Sequence, residues 1–431
     1  MLLRTKTSKF IANPILFKQQ LLFWSQAFRE VVFLDSNDHK DRYSKYDCVL
    51  AVDAFTLLKT DYPKAFDDLK QYQLTTKDWL FGFLTYDLKN DVEALDSANY
   101  DGLEFPELLF FQPKKLFLLK GNQLEIQYLA LCDDEMELDF LAIQQTDIEL
   151  SSALDHPIEI KQRIDKNNYL YKVNSLLQRI HHGDIYEVNF CMDFFAEQSE
   201  INPIAKYFKL SDLSSAPQAV FLKINKHFLL SASPERYLQK TGDQLISQPI
   251  KGTSKRSTDL VEDERSRSEL ESNPKERAEN IMITDLVRND LSRTAQKGSV
   301  SVDELCGLYT FKQVHQMIST VSSRLNPDFT AVDVLITSFP MGSMTGAPKV
   351  SAMKIIEEVE ESKRGLYSGA VGYFSPESDF DFNVVIRSIL YNQEKKYVSF
   401  SVGSAITALS NPEEEYEECL LKAHAMFKVL Q

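Results

Sequence analysis

Short runs dense in β-branched and aromatic residues recur along the whole chain, and they limit the fold more than any other feature. They include VVFLD at 31–35, CVLAVDAF at 48–55, WLFGFLTYD at 79–87 and LEIQYLAL at 124–131. IYEVNFCMDFF, AVFLKI, HFLLSAS and QLISQPIKG follow between residues 185 and 252, then DFNVVIRSILY and YVSFSVGSAI between 381 and 406. Runs of this kind read as strands. They do not alternate one for one with long helical stretches, as a doubly wound βαβ series would. The pattern therefore predicts an α+β fold with large antiparallel sheets. One helix is clear from its period: Tyr169, Val173, Leu176, Leu177 and Ile180 share a face, and Gly183 is its expected stop.

Composition sets the outer bounds. At roughly 150 residues per domain, 431 residues suggest two or three domains or one composite body. With 43% apolar and 26% charged residues, the chain can bury a core without a metal or disulfide staple. The five Cys, at 48, 132, 191, 306 and 419, are odd in number and form no CxxC pair, so a reducing, cytoplasmic setting is expected. The basic start is cut by Pro14 and Lys18, which argues against a signal peptide. No run approaches the roughly 18 apolar residues of a membrane span. A net charge of −15 argues against a nucleic-acid partner, though a few local Lys and Arg suffice for a small anion. Residues 132–160, acidic and poorly patterned, are the expected linker; the charged stretch 255–272 reads as a solvated mobile loop.

Two helix starts carry paired carboxylates. Asn273-Pro274-Lys275-Glu276 has a capping Asn, a Pro at the first helical position and a Glu to complete a capping box. Its helix bears Glu276 and Glu279, three apart on one face. Asn411-Pro412-Glu413-Glu414 repeats the start, with Glu415 and Glu418 three apart. Together the pairs form an oxygen-rich set suited to Mg²⁺, which takes few carboxylates and is completed by an anionic substrate. Read alone, acidic first turns also simply complement the helix dipole.

Other residues stay ambiguous on local grounds. Lys251 in PIKGT is a surface charge, or a base or nucleophile if desolvated. Glu235 in SPERY is an ion-pair partner, or a general acid in a closed site. Arg387 interrupts the strand-like run FNVVIRSIL and needs a carboxylate, from the protein or a ligand. Gly342-Ser-Met-Thr-Gly-Ala-Pro-Lys349 fails the phosphate-loop pattern and reads as a tight turn entering a helix. His181, His182 and His315 are too few and too separated for a zinc site.

Taken in order, seven blocks resemble one family, the chorismate-utilising enzymes. They are SPERY at 233–237, PIKGT at 249–253, ERAENIMITDLVRNDLSR at 276–293 and FPMGSMTGAPKVSAMKIIEE at 339–358. RGLYSGAVGYFS at 364–375, FNVVIRSI at 382–389 and NPEEEYEECLLKA at 411–423 complete the set, with an echo in FGFLTYDLKN at 81–90. The resemblance implies two large antiparallel sheets packed as a sandwich, with helices outside and the site in a cleft. It implies a divergent amino-terminal region at 1–150 that contributes strands, and a chorismate-binding catalytic region at 151–431. Lysine in PIKGT, where other branches usually have Ala, is similar to the aminodeoxychorismate synthases, component I. That branch implies Lys251 as nucleophile at ring carbon 2 and Glu235 as general acid and base. It implies Mg²⁺ on Glu276, Glu279, Glu415 and Glu418, and the enolpyruvyl carboxylate on Tyr367, Arg387 and the backbone of Gly403. Gly252, Thr253, Ser343 and His315 match further substrate-contacting positions. No glutaminase block is present, so the resemblance implies a separate glutamine amidotransferase subunit supplying ammonia.

This chain departs from the family pattern at two places. Glu187 stands where aminating relatives commonly have Gln, adding a charge near an anionic substrate. Ser404-Ala405 replaces a Gly-richer run after Gly403. Two other readings compete: anthranilate synthase component I, against which Lys251 speaks, and a scaffold protein that has lost turnover, against which the retained Lys251, Glu235, Glu279, Glu418 and Arg387 speak.

Overall fold

The computed structural model describes residues 3–39, 41–149 and 157–431. Its twenty strands form one hydrogen-bonded network folded into two layers. A long antiparallel strand pair joins them: Cys48–Thr60 runs alongside Leu108–Lys120 from end to end. The first half of Cys48–Thr60 continues sideways into Glu30–Asp35, Gln218–Ile224, His227–Ser233, Ser388–Asn392, Tyr397–Thr407 and Glu187–Ala196. The first half of Leu108–Lys120 continues into Leu80–Leu84, Ala370–Phe374, Phe380–Asn383, Arg236–Thr241, Gln244–Gln248 and Val314–Arg324. The pair passes between layers at a register shift between Ala54 and Thr56, a bulge that bends the strand.

The layers pack face to face, as a sandwich. Val32, Leu222, Leu229 and Leu390 of the first meet Leu238, Leu245, Val321 and Val371 of the second in one core. Alternate residues of the first layer, Val31, Phe33, Phe221 and Leu230, point the other way into a second core. Outer helices cover that face. Lys166–His182 buries Tyr169, Val173, Leu176 and Ile180 and ends at Gly183, whose φ is 89°, as the periodicity predicts. Pro412–Leu430 adds Cys419, Ala423 and Met426. Each apolar side chain so buried contributes about 1.5–3 kcal/mol, so both phases of these strands are apolar and the runs look continuous.

Two expectations are corrected. The stretch proposed as a linker contains the helix Met136–Gln144, which sends Met136, Phe140 and Ile143 into the outer core. Residues 150–156, also within that proposed linker, lie outside the described residues. The expected loop at 255–272 is mostly the helix Leu260–Ser272, capped by the Asp259 side chain. Only Asp263 and Leu270 of that helix are buried, so it has no apolar stripe to betray it. The amino-terminal strands pair directly with later ones, Glu30–Asp35 with Gln218–Ile224 and Leu80–Leu84 with Ala370–Phe374. Among the described residues no helix is long and apolar enough to cross a membrane.

The chain crosses between layers twice in a way that matters below. It leaves the first layer after His227–Ser233 and enters the second at Arg236, and it returns from Phe380–Asn383 to Ser388–Asn392. Glu235 lies in the first crossing and Arg387 in the second. The crossings are tied: Val384 N–H donates to the Glu235 carbonyl at 3.0 Å, and Ala232 N–H to the Arg387 carbonyl at 3.1 Å.

Candidate active site

A cavity of about 890 Å³ opens beside the two crossings. Glu235, Lys251, Gly252, Thr253 and Ser343 line it, together with Tyr367, Arg387 and Gly403. Glu276, Glu279 and Glu418 line it as well.

Lys251 projects from the strand Ile250–Lys255, which the Asn280 side chain pins by donating to the Lys251 and Met317 carbonyls at 3.0 Å each. Next to it Gly252 has φ +96°, and a Cβ there would sit 3.2 Å from both Glu276 Oε2 and Met317 Cβ. Only Gly adopts that backbone cheaply. The Lys251 amine lies 3.1 Å from Glu187 Oε1, with the two side chains 11% and 4% exposed. Burial alone would lower the amine's pKa, but Glu187, Glu279 and Glu235 outweigh it and hold the group above the usual lysine range. In the ligand-free protein Lys251 is therefore an ammonium. Glu235 goes the other way. Burial pushes its carboxyl up to about 7, against the opposing pull of Ser343, Lys251 and the Ile250 amide.

Arg387 resolves an alternative left open by the sequence. It lies not within a strand but in the layer crossing, at φ 53°. Its Nη1 donates to the Lys422 carbonyl at 3.1 Å, and it makes no ion pair among the described residues. Burial depresses its pKa. A half-buried guanidinium that lines the cavity without an acid partner is free to take a ligand carboxylate. Tyr367 is buried beside it, with the Cys191 thiol 3.8 Å from its hydroxyl. Beside them, a Cβ on Gly403 would fall 2.3 Å from Asn189 Oδ1 and 2.7 Å from Cys191 Sγ, so the backbone there comes as close as it can. The buried Ser343 hydroxyl faces the Glu235 carboxyl.

The four helix-borne carboxylates are not equivalent. Asn273 and Asn411 cap their helices as the spacing predicts. Glu276 and Glu279 face the cavity, where burial and neighbouring carboxylates raise both, Glu279 to about 7. One Glu279 oxygen, Oε1, is buried with no hydrogen bond and lies 3.9 Å from Lys275 Nζ. Glu418 also faces the cavity, but Lys422 at 2.6 Å holds its pKa down. Glu415 does not join them. It is 1% exposed, pairs with Lys275 at 2.9 Å and accepts from the Ser404 hydroxyl, which satisfies it away from the cavity. Ser404 thus acts as a partner for Glu415. Among the described residues no three acidic, His or Cys groups form a ready-made metal cage. The orphaned Glu279 oxygen, with Glu276 and Glu418 beside the same cavity, fits a cation that retains its waters and binds through a few carboxylates.

His315 also lies elsewhere. Val314 and Gln316 line the cavity, so the strand's alternation turns His315 to the opposite side. There it meets Asp263 at 3.2 Å and Thr310 at 2.9 Å. Its contacts anchor the helix Leu260–Ser272. Sequence reasoning missed Lys275 and Lys422. A cation in the first turn of a helix opposes the helix dipole, and that anomaly marked Lys275. Lys422 follows Glu418 by four residues, the spacing of a helical ion pair.

Comparison with known proteins gives the chain its family. The profile of the chorismate binding enzymes matches residues 23–428. An aminodeoxychorismate synthase from Streptomyces griseus is 41% identical over 366 residues, covering 81% of this chain and 49% of its own length. The chain thus spans about half of that relative. An anthranilate synthase component I-like protein from Synechocystis is 35% identical over 356 residues, covering 82% of this chain and 72% of its own. The aminodeoxychorismate synthase component 1 of Bacillus subtilis is 32% identical over 367 residues, covering 81% and 76%. The crystal structure of anthranilate synthase component I from Streptococcus pneumoniae superposes with a TM-score of 0.76 at 24% identity, covering 90% of this chain and 93% of its own. It shares the fold.

Proposed function

The chain belongs to the chorismate binding enzyme family, and we propose that it is the aminating subunit of an aminodeoxychorismate synthase, converting chorismate and ammonia to 4-amino-4-deoxychorismate. The observation that carries this reading is Lys251 projecting into the cavity near Glu235 and the acidic cluster. Chorismate has two carboxylates, and the cavity has two places for them. Arg387 and Tyr367 take the enolpyruvyl carboxylate. The ring carboxylate lies toward Glu276, Glu279 and Glu418, which would hold Mg²⁺; bound there, the ion would neutralise the carboxylate and polarise the ring.

Replacing the ring carbon 4 hydroxyl by an amine with retention suits two displacements. The Lys251 amine bonds to ring carbon 2, the two ring double bonds shift, and the carbon 4 hydroxyl departs. Burial holds the Glu235 carboxyl up at about 7, so it keeps a proton far better than an ordinary carboxyl near neutrality and supplies the one that makes the leaving group water. Ammonia then bonds to carbon 4, the double bonds shift back, and the lysine leaves. The Glu235 carboxylate takes the surplus ammonium proton, restoring the starting state. Ammonia comes from a separate glutamine amidotransferase subunit.

Anthranilate synthesis is the second reading, favoured by the name of the Synechocystis relative. The test incubates the purified chain with chorismate, Mg²⁺ and concentrated ammonium salt at mildly alkaline pH, with and without aminodeoxychorismate lyase. Para-aminobenzoate appearing only with the lyase is the expected result. Anthranilate, or no turnover, overturns the proposal.

A further inference from the structure

Lys251 as it stands cannot attack carbon, because an ammonium has no lone pair. It must first lose a proton, and the amination scheme above leaves the recipient unnamed. Three carboxylates raise the pKa of this amine: Glu187, Glu279 and Glu235. Among the described residues only Glu187 is within ion-pair reach, at 3.1 Å. It is also rigidly placed. Glu187 begins the strand Glu187–Ala196, between Ala347 on one side and Thr407 on the other. Its side chain is 4% exposed, so water competes poorly for the same role.

Building on that amination reading, we infer that Glu187 is the proton partner of Lys251. The Glu187 carboxylate takes one ammonium proton and becomes a carboxylic acid. The freed lone pair forms the bond to ring carbon 2. When ammonia displaces the lysine, the ring double bonds shift back, the carbon–nitrogen electron pair leaves with the nitrogen as its lone pair, and that lone pair takes the proton back from Glu187. No proton is gained or lost over the cycle. The pairing also answers the charge question that Glu187 poses, because the carboxylate faces a cation in the resting state and is neutral while the anionic ring is attached.

Omitting ammonia isolates the first displacement, whose product is Lys251 carrying chorismate less one water. Intact mass after rapid mixing measures its formation in the wild-type chain, Glu187→Gln and Glu187→Asp, from neutral to alkaline pH. Glu187→Gln is expected to slow the adduct by about 100-fold at neutral pH, with the deficit shrinking about tenfold per pH unit as solvent takes the proton. Glu187→Asp is expected to recover much of the rate and the flatter wild-type profile. A Glu187→Gln rate equal to wild type, or a deficit constant with pH, overturns the inference. If Glu187→Gln does not fold, Glu187→Ala carries the test by the same readout, and a wild-type rate or a deficit constant with pH overturns the inference. Adduct absent from a wild-type chain that still aminates chorismate overturns the Lys251 mechanism instead.

Discussion

The helices Pro274–Ser292 and Pro412–Leu430 begin alike, with a capping Asn, a Pro and two Glu three residues apart, yet they present their carboxylates differently. The first sends both Glu276 and Glu279 to the cavity and leaves a Glu279 oxygen orphaned. The second sends only Glu418, already neutralised by Lys422, while Glu415 is spent on Lys275 and Ser404. Equal spacing therefore does not mean equal chemistry. What separates them is where the nearest lysine sits and whether the neighbouring strand offers a hydroxyl.

Substitutions can break this asymmetry. Glu279→Gln removes the least satisfied carboxylate, and turnover is expected to fall by at least about 100-fold, with a higher Mg²⁺ requirement. A Mg²⁺ titration of the rate checks this. Glu418→Gln should cost less, about tenfold, because Lys422 already offsets its charge; adding Lys422→Met should recover part of the loss, since it removes the cation left unpaired beside the site. The pH dependence sharpens the contrast. Glu279 has a pKa of about 7 and must shed its proton to hold a cation. Apparent Mg²⁺ affinity is thus expected to rise about tenfold per pH unit up to that value and then level off. Glu279→Gln should flatten the curve, whereas Glu418, whose pKa is lowered, imposes no such rise near neutrality. Calorimetry with Mg²⁺ at several pH values reads both. Glu415→Gln should affect turnover least and lower stability by about 1–3 kcal/mol, since it weakens a buried partner of Lys275. Thermal unfolding measures that loss.

How legible each element was follows from what it touches. The helix Lys166–His182 announces itself because one whole face is buried. Leu260–Ser272 does not, since only Asp263 and Leu270 are buried. In Met136–Gln144 the apolar residues do fall at helical spacing, but surrounding acids obscure them. In the site, residue type alone left Lys251, Glu235 and Arg387 ambiguous, and the family blocks singled them out. Strand phase turned His315 away, a fact no single-residue reading contains. The continuous run FNVVIRSIL hid a crossing between layers, because the strands on both sides are buried on both faces. Glu187 was visible as an oddity, and its 3.1 Å approach to Lys251 came only with the fold.

The central claim is that Lys251 forms the bond that directs amination to ring carbon 4. Lys251→Ala, given chorismate, Mg²⁺ and ammonium salt, tests it most directly through the identity of its products. The account predicts loss of 4-amino-4-deoxychorismate while chorismate still raises the thermal stability of the variant. Formation of that product at the wild-type rate would contradict it.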